Sequence, residues 1–486
     1  MHTQVAIVGS GFSGLGAAIR LKQEGLSDFV VLERAADLGG TWRDNSYPGC
    51  ACDVASHLYS LSFAPNPDWT DRYSGQREIW RYLQKCADDF ALRPHLRLEH
   101  EVRSAEWDES ARRWRIETSR GPLTAAVLVL AAGALSEPVI PDLPGLKAFQ
   151  GRMFHSARWD HAFDLAGRRV AVVGTGASAA QFIPEIQPRV ERLLLFQRTP
   201  AWVLPRLDGR IRPWQRWLFR KAPALQRLVR LGIYLPREMA VFLFRHPWMM
   251  RRAQLLARRH LRQSIADPVL RARLTPSYTM GCKRIVLSNT YYPALAQPNV
   301  EVLTSGISEI RARSIVDGDG VERAVDAIIL GTGFRPTDPP LSGHLRGREG
   351  RILREVWAGS PEAHLGTTVS GFPNLFLLLG PNTGVGHTSV VYMIEGQIEH
   401  LVGALRFMRA RGVDAVEPRP EAQGEYVSSL YRRTQGTVWV AGGCKSWYLD
   451  RRGRSSSIWP DFTWRYRRRV ARFRPHEYLA RAGGGP

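Results

Sequence analysis

The run QVAIVGSGFSG, residues 4–14, decides the fold. Gln4 to Val8 is a short apolar strand, Gly9, Gly11 and Gly14 stand at the spacing G-x-G-x-x-G, and a helical run from Leu15 to Gln23 follows. A second strand, Phe29 to Leu32, ends in Glu33, nineteen residues beyond Gly14. Strand, glycine turn, helix and an acid at that distance together specify a dinucleotide-binding unit, whereas the three glycines alone would not. Gly9 makes the tight turn, Gly11 lets the backbone approach a pyrophosphate, and Gly14 lets helix and strand pack closely. The helix N-terminus, with Ser13 in its first turn, faces the phosphates. Glu33 accepts hydrogen bonds from a ribose diol and repels a 2′-phosphate, so this site suits FAD or NAD and not NADP.

The same pattern returns once. Arg168 to Val173 reads as a strand, Gly174-Thr175-Gly176-Ala177-Ser178-Ala179 as the turn, and Ala180 onward as the helix. Ala179 stands where the third glycine would be, a substitution the fingerprint tolerates. The next strand, Arg192 to Phe196, ends not in an acid but in Gln197-Arg198-Thr199. Arg198 can pair bidentately with a 2′-phosphate and Thr199 adds a hydroxyl donor, so the second site suits NADPH ahead of NADH.

Between the two signatures lies FQGRMFHSARWD, residues 149–160, which reads as a loop rich in aromatics. Phe149, Gly151, His155 and Trp159 are spaced two, four and four apart. A histidine at the seam of two nucleotide units can hold a hydrogen bond across that seam in one state and release it in another. A connector whose His and Trp simply pack in the core is the competing account. Two apolar strands, Ala125 to Gly133 and Ala327 to Gly333, read as paired crossings between the units.

The 149–160 spacing resembles the fingerprint of the Baeyer–Villiger monooxygenases, and three more motifs in the same order carry the resemblance along nearly the whole chain. Gly39-Gly40-Thr41-Trp42 with Tyr47-Pro48-Gly49-Cys50-Ala51-Cys52-Asp53 is similar to that family's second signature. By the resemblance Thr41, Trp42, Asp53, Tyr59 and Val102 contact FAD. Tyr278-Thr279-Met280-Gly281-Cys282-Lys283-Arg284 resembles the family's Lys-Arg pair at the flavin, which makes Lys283 an NADPH contact and Arg284 the catalytic arginine. Lys445-Ser446-Trp447 resembles its mobile loop, whose Trp touches the nicotinamide cofactor, although this chain continues Asp450-Arg451-Arg452-Gly453-Arg454 where the family often has Gly-Ala-Asn. Gly331 stands where the related ATG motif has alanine. The resemblance implies FAD and NADPH as cofactors. It also implies insertion of one oxygen from O2 beside the carbonyl of a small ketone or aldehyde, through a C4a-peroxyflavin, to give an ester or lactone. A permanent cation suits that chemistry, because it stabilises a peroxyanion and the tetrahedral adduct, and Asp53 would orient the guanidinium. Nitrogen or sulfur oxygenation and an NADPH oxidase activity remain the alternatives.

The expected architecture is α/β, with two Rossmann-like domains. Residues 1–140 give the first part of the FAD domain and residues 141–333 the NADPH domain, with a helical insertion at about 205–275. Residues 334–486 return to the FAD domain and carry the C-terminal loop. Within the insertion Pro223, Pro236 and Pro247 are expected to break the helix. The end from His476 to Pro486 is expected to fray.

Composition sets the outer bounds. At 486 residues, 44% hydrophobic and 23% charged, the chain reads as a globular protein of two or three domains. Five cysteines, scattered and odd in number, imply no disulfide framework and point to a reduced, cytoplasmic protein. Cys50 and Cys52 are too close for a redox pair and read as inert core residues. No metal-ligand spacing is present. The net charge is +22, and residues 206–262 hold 15 Lys or Arg against only Asp208 and Glu238. No nucleic-acid module accompanies that block, so nucleic acid is not expected as a partner. A solvated face, a lid, or a weak peripheral membrane contact through the insertion all stay open, as does the oligomeric state.

Overall fold

The computed structural model describes residues 1–335 and 339–482. Two parallel-stranded sheets form its frame. In the first, the strands His2–Val8, Phe29–Leu32 and Leu96–Arg97 run parallel on one side of the long strand Gly121–Leu130. That long strand is shared. Its first half pairs antiparallel with Arg113–Thr118, and its last residues pair in parallel with Leu375–Leu377. The chain therefore re-enters this sheet late. The helices Phe12–Gln23, Gln76–Asp89 and Val390–Arg411 supply apolar side chains to its principal core.

The second sheet is parallel throughout, in the order Val300–Leu303, Arg192–Phe196, Arg169–Val173, Ala327–Leu330, Arg152–His155. Its strands are apolar on both faces, as a sheet covered on both sides requires. The helix Ala177–Ile186 packs against one face, and a small antiparallel sheet formed within residues 307–324 lies over the other. Asp326 pins two interior strands at their starts: its carboxylate accepts from Arg169 N, Nε and Nη2 at 2.9, 3.1 and 2.7 Å.

The two crossings run side by side, with Val139 N donating to Gly333 O at 2.8 Å and Pro138 bridging Phe334. Residues 205–285 leave and return through the short parallel pair Val203–Leu204 and Val286–Leu287. Between these strands stand the helices Pro213–Lys221, Pro223–Met239, Val241–Arg245, Pro247–Ser264 and Pro268–Arg273.

Several expectations need correction. Residues 149–160 are not only a loop, since Arg152–His155 is the edge strand of the second sheet and Ser156–Arg158 a single 3₁₀ turn. The edge is where a strand needs partners on one side alone, so its period is too short to show in the sequence. Pro236 does not break its helix, which runs from Pro223 to Met239. It sits in the last turn, where only one backbone bond is lost. Pro223 and Pro247 open their helices at the first position, where proline has no donor to lose. The C-terminal stretch does not fray at His476: Tyr478–Ala482 pairs antiparallel with Val413–Pro418. Finally, Cys282 and Cys444 form a disulfide, with Cα atoms 6.2 Å apart, so the chain is not fully reduced as expected. Cys50, Cys52 and Cys86 are free.

Candidate active site

The first glycine turn is built as its spacing demands. Gly9 takes φ +103°, and a side-chain carbon on it would stand 2.6 Å from Ala131 O. One on Gly14 would meet Gly9 O at 1.8 Å, so both positions are closed to any side chain. Gly11 is different, with nothing nearer than Gly40 Cα at 3.8 Å, which leaves its backbone open to a ligand. Gly9 and Gly11 border a cleft of about 510 Å³, walled also by Ser13, Glu33, Thr41, Trp42, Tyr59 and Val102. Trp42 Nε1 donates to Tyr59 OH at 3.1 Å, and Phe12 meets the Tyr59 ring edge-on. Glu33 is buried and held by Ser10 Oγ at 2.7 Å, Ala35 N at 3.1 Å and an ion pair with Arg43 at 3.0 Å. An open glycine backbone, a helix N-terminus and a fixed carboxylate along one cleft fit the dinucleotide part of FAD. Asp53 does not line this cleft.

The second turn repeats the design with one exchange. Gly174 has φ +109°, and a side chain on it would strike Gly331 O at 2.4 Å. A methyl added to Gly331 would stand 3.3 Å from Ala179 Cβ. The methyl missing at 331 is thus balanced by the one present at 179, and the two departures from the expected pattern are neighbours. Gly176 is open. Thr175 Oγ1 donates to Thr199 O at 2.9 Å, which fixes the segment carrying Arg198. Lys283 lies over the Tyr278 ring at 5.2 Å, and burial together with the Arg198 charge holds its ammonium below the ordinary lysine value. Neither cation has an ion pair among the described residues, and two such cations that feel each other make a setting for a phosphate, which fits NADPH.

Between the sites stands Arg284. Its Nε and Nη2 donate to both Asp53 oxygens at 2.6–2.9 Å, and Nη1 reaches Val385 O at 3.2 Å. The Asp53 charge, against the pull of burial, raises the guanidinium above the usual arginine value. Asp53 is placed from the other unit: Tyr47 OH and Ala51 N share Gln181 Oε1, and Gln181 Nε2 donates to Ala51 O, so the helix of the second turn grips the loop of the first. Gly49 has Gln181 O where its side chain would be. Burial pushes the Cys50 thiol up to about 12 and that of Cys52 higher still, so both stay protonated.

The fingerprint residues do not meet at one point. Phe149 and Trp159 pack on opposite faces of the second sheet, Trp159 against Phe154 and Phe182. Gly151 is required because Phe149 Cζ and Asp326 O both lie within 2.6 Å of where its side chain would be. His155 is buried beside Phe334. Its Nδ1 accepts from Ala157 N at 3.1 Å, and its Nε2 makes no hydrogen bond of full geometry; burial lowers the imidazole while the Gly333 backbone opposes that.

Three features escaped the sequence reading. Tyr448 is 1% exposed, and burial raises its phenol while the adjacent Arg284 charge opposes that. Its exposed neighbour Trp447 stacks edge-on against it at 4.3 Å. Second, the buried Glu238 accepts from Thr463 Oγ1 at 2.8 Å and lies 3.5 Å from His387 Nε2. Burial pushes that carboxyl up, but His387 and Thr463 hold it below the usual carboxylate range. His387 is two residues beyond Val385, so the insertion reaches the Arg284 neighbourhood through it. Third is the disulfide. None of these follows from local spacing, because each joins segments far apart in sequence.

Known proteins resemble this chain in sequence and in fold. Residues 2–345 match the family described as Flavin-binding monooxygenase-like. The chain is 53% identical over 479 residues to a Baeyer–Villiger monooxygenase of Streptomyces coelicolor, covering 98% of this chain and 92% of that protein. It is 50% identical over 480 residues to a Baeyer–Villiger monooxygenase of Pseudomonas aeruginosa, covering 98% and 91%. Cyclohexanone monooxygenase from Rhodococcus sp. Phi1, solved with NADP⁺, superposes with a TM-score of 0.88 at 28% identity over 99% of this chain and 100% of that one.

Proposed function

The chain belongs to the flavin-binding monooxygenase-like family as an FAD- and NADPH-dependent Baeyer–Villiger enzyme, and we propose that Arg284, oriented by Asp53, is its catalytic residue. Such an enzyme places one oxygen atom of O2 beside the carbonyl carbon of a small-molecule substrate. Bound FAD supplies the electron store that NADPH fills and O2 empties. The protein's part is electrostatic. A guanidinium chelated by a carboxylate keeps its charge and one orientation, so it stabilises negative charge on oxygen without reorganising as that charge develops. The bidentate Arg284–Asp53 contact is the observation that carries this assignment.

Around that pair, Gly9, Gly11, Ser13, Gly14, Glu33, Thr41, Trp42, Tyr59 and Val102 would hold FAD. Gly174, Gly176, Ser178, Ala179, Arg198, Thr199 and Lys283 would hold NADPH, with Arg198 and Lys283 on the 2′-phosphate and Trp447 toward the nicotinamide end. Phe149, Gly151, His155 and Trp159 would couple the two units. We divide the chain into an FAD domain of residues 1–140 and 334–486 and an NADPH domain of residues 141–333. We also propose cytoplasmic residence, where NADPH is regenerated; one disulfide in 486 residues is not the framework of an exported protein. The basic segment 206–262 is the part we expect to touch membranes.

Aerobic incubation with NADPH and separate ketones and thioethers tests the reaction. Ester or lactone formed in step with NADPH consumed is the expected result. Sulfoxide alone would shift the assignment to heteroatom oxygenation, and hydrogen peroxide equal to the NADPH consumed would mark an oxidase.

A further inference from the structure

The helix Pro223–Met239 turns most of its leucines outward and several polar side chains inward. Its inward face mixes Ile233, which packs on the principal core, with polar side chains: Gln226 Nε2 donates to Asn66 O at 2.6 Å, Arg230 Nη1 to His57 O and Ser60 O at 2.9 and 2.8 Å, and Tyr234 OH pairs with Thr463 Oγ1 at 3.1 Å. Glu238 completes that face. Its outward positions are apolar. Leu228, Leu231, Leu235 and Met239 follow at steps of three and four, and Phe242 in the next helix extends the stripe; they are 42–62% exposed. A helix that merely covered its own core would show the reverse pattern.

The neighbouring helices share the bias. Trp214, Trp217, Trp248, Leu255 and Leu256 are exposed, and residues 206–262 hold 11 of the 20 exposed large hydrophobic side chains among the described residues. That excess is too local to be the ordinary scatter of surface apolar residues. The same segment carries exposed cations. Lys221, Arg227, Arg251, Arg258 and Arg259 are exposed with no carboxylate within 4 Å among the described residues, and Arg252 lies over the Trp248 ring at 5.5 Å. No helix of the described residues is long and apolar enough to cross a membrane.

We propose that this face docks on an anionic lipid bilayer, with the Leu228–Phe242 stripe seated at the level of the upper acyl chains and the arginines on headgroup phosphates. It rests on the reading of residues 206–262 as the membrane-touching part and not on the catalytic assignment. A second copy is the less suitable occupant. An isologous dimer would set this basic surface against itself, so its charge would repel where an anionic surface attracts. The helix that carries the stripe also carries Glu238, 3.5 Å from His387, so the docked face is the outer side of the wall over Arg284. A lipophilic ketone held in the bilayer would then be presented beside its site of oxidation.

Flotation of the FAD-loaded full-length enzyme with phosphatidylcholine vesicles, with and without phosphatidylglycerol, tests this. Wild type should float with the anionic vesicles only, and less so as salt rises. The L231S/L235S variant should lose at least tenfold in vesicle affinity while keeping its FAD content and its turnover of a water-soluble ketone. No flotation of wild type would overturn the proposal, as would a variant that floats equally well. A wild-type dimer that L231S/L235S converts to a monomer, without vesicle binding, would assign the face to self-association instead. Ketone turnover measured on the same preparations reports separately on the catalytic assignment.

Discussion

Cys282 and Cys444 are joined by a disulfide that ties the residue before Lys283 and Arg284 to the loop leading into Trp447 and Tyr448. The joint is tightly housed. A side-chain carbon on Gly442 would stand 2.9 Å from Cys282 Sγ and 2.2 Å from Val438 O, and Thr279 N donates to Gly442 O at 2.9 Å. The bond spans 162 positions, and on the loop-entropy account closing so long a loop contributes on the order of 5 kcal/mol. Denatured, unreduced protein should therefore show three free thiols and reduced protein five. Cys444→Ser should lower the denaturation midpoint and raise the KM for NADPH with FAD retained. A count of five thiols before reduction would remove the tether.

Arg284→Ala should leave NADPH oxidation working and lower ester formation by at least about 10²–10³-fold, the scale for losing one oriented donor to developing charge. Arg284→Lys should not restore it, because an ammonium cannot engage both Asp53 oxygens and Val385 O in one plane. Undiminished ester formation in Arg284→Ala would place the chemistry elsewhere.

Arg198→Ala tests the assignment of the second turn. Losing a charge-assisted contact to the 2′-phosphate costs about 1.5–3 kcal/mol, so the preference for NADPH over NADH should narrow by about 10- to 100-fold through KM. Lys283 should then titrate closer to an ordinary lysine, since the Arg198 charge beside it is gone. An unchanged cofactor preference would move the phosphate site away from this pair.

Both glycine turns were legible because their strand–turn–helix spacing is local, although the atoms that close Gly9 and Gly174 to side chains, Ala131 O and Gly331 O, come from the distant crossings. Arg284 and its orientation by Asp53 were expected from the family resemblance, and the bidentate contact across 231 positions is how the fold delivers it. The Glu238–His387 contact, the Tyr448 phenol beside Arg284 and the disulfide had no local signature at all. The outward stripe of the 223–239 helix was hidden for another reason. Its period is a perfectly good helical one, and periodicity does not say which face looks inward.

Acid should weaken the fold through two buried imidazoles. His400 is fully buried between Val470 O and Tyr478 OH, and burial holds it at about 4; His57, buried near Arg230, is also held at about 4. Both are neutral in the fold, while in the unfolded chain they bind protons below about 6.5. Stability is therefore unaffected above that value and falls as pH drops toward about 4, by about 2 kcal/mol for each at pH 5. Urea midpoints at pH 7.5 and pH 5 measure this, and His400→Gln should flatten the difference. Equal midpoints for wild type would mean that the imidazoles are already charged in the fold.

His155 sits where the two crossings run together, and its two nitrogens are unequal. Nδ1 is spent on Ala157 N, which ends the edge strand, while Nε2 is buried beside Phe334 and near the Gly333 backbone without a hydrogen bond of full geometry. A buried donor held only loosely by the Gly333 backbone is a standing cost, and a small shift of the crossing would complete that bond or break it. His155→Ala should slow flavin reduction by NADPH without releasing FAD. His155→Asn, which keeps a side-chain acceptor for Ala157 N, should recover stability but not the rate. If both variants reduce flavin as fast as wild type and differ only in denaturation midpoint, His155 is a cap on the edge strand and the coupling between the nucleotide units lies in other residues.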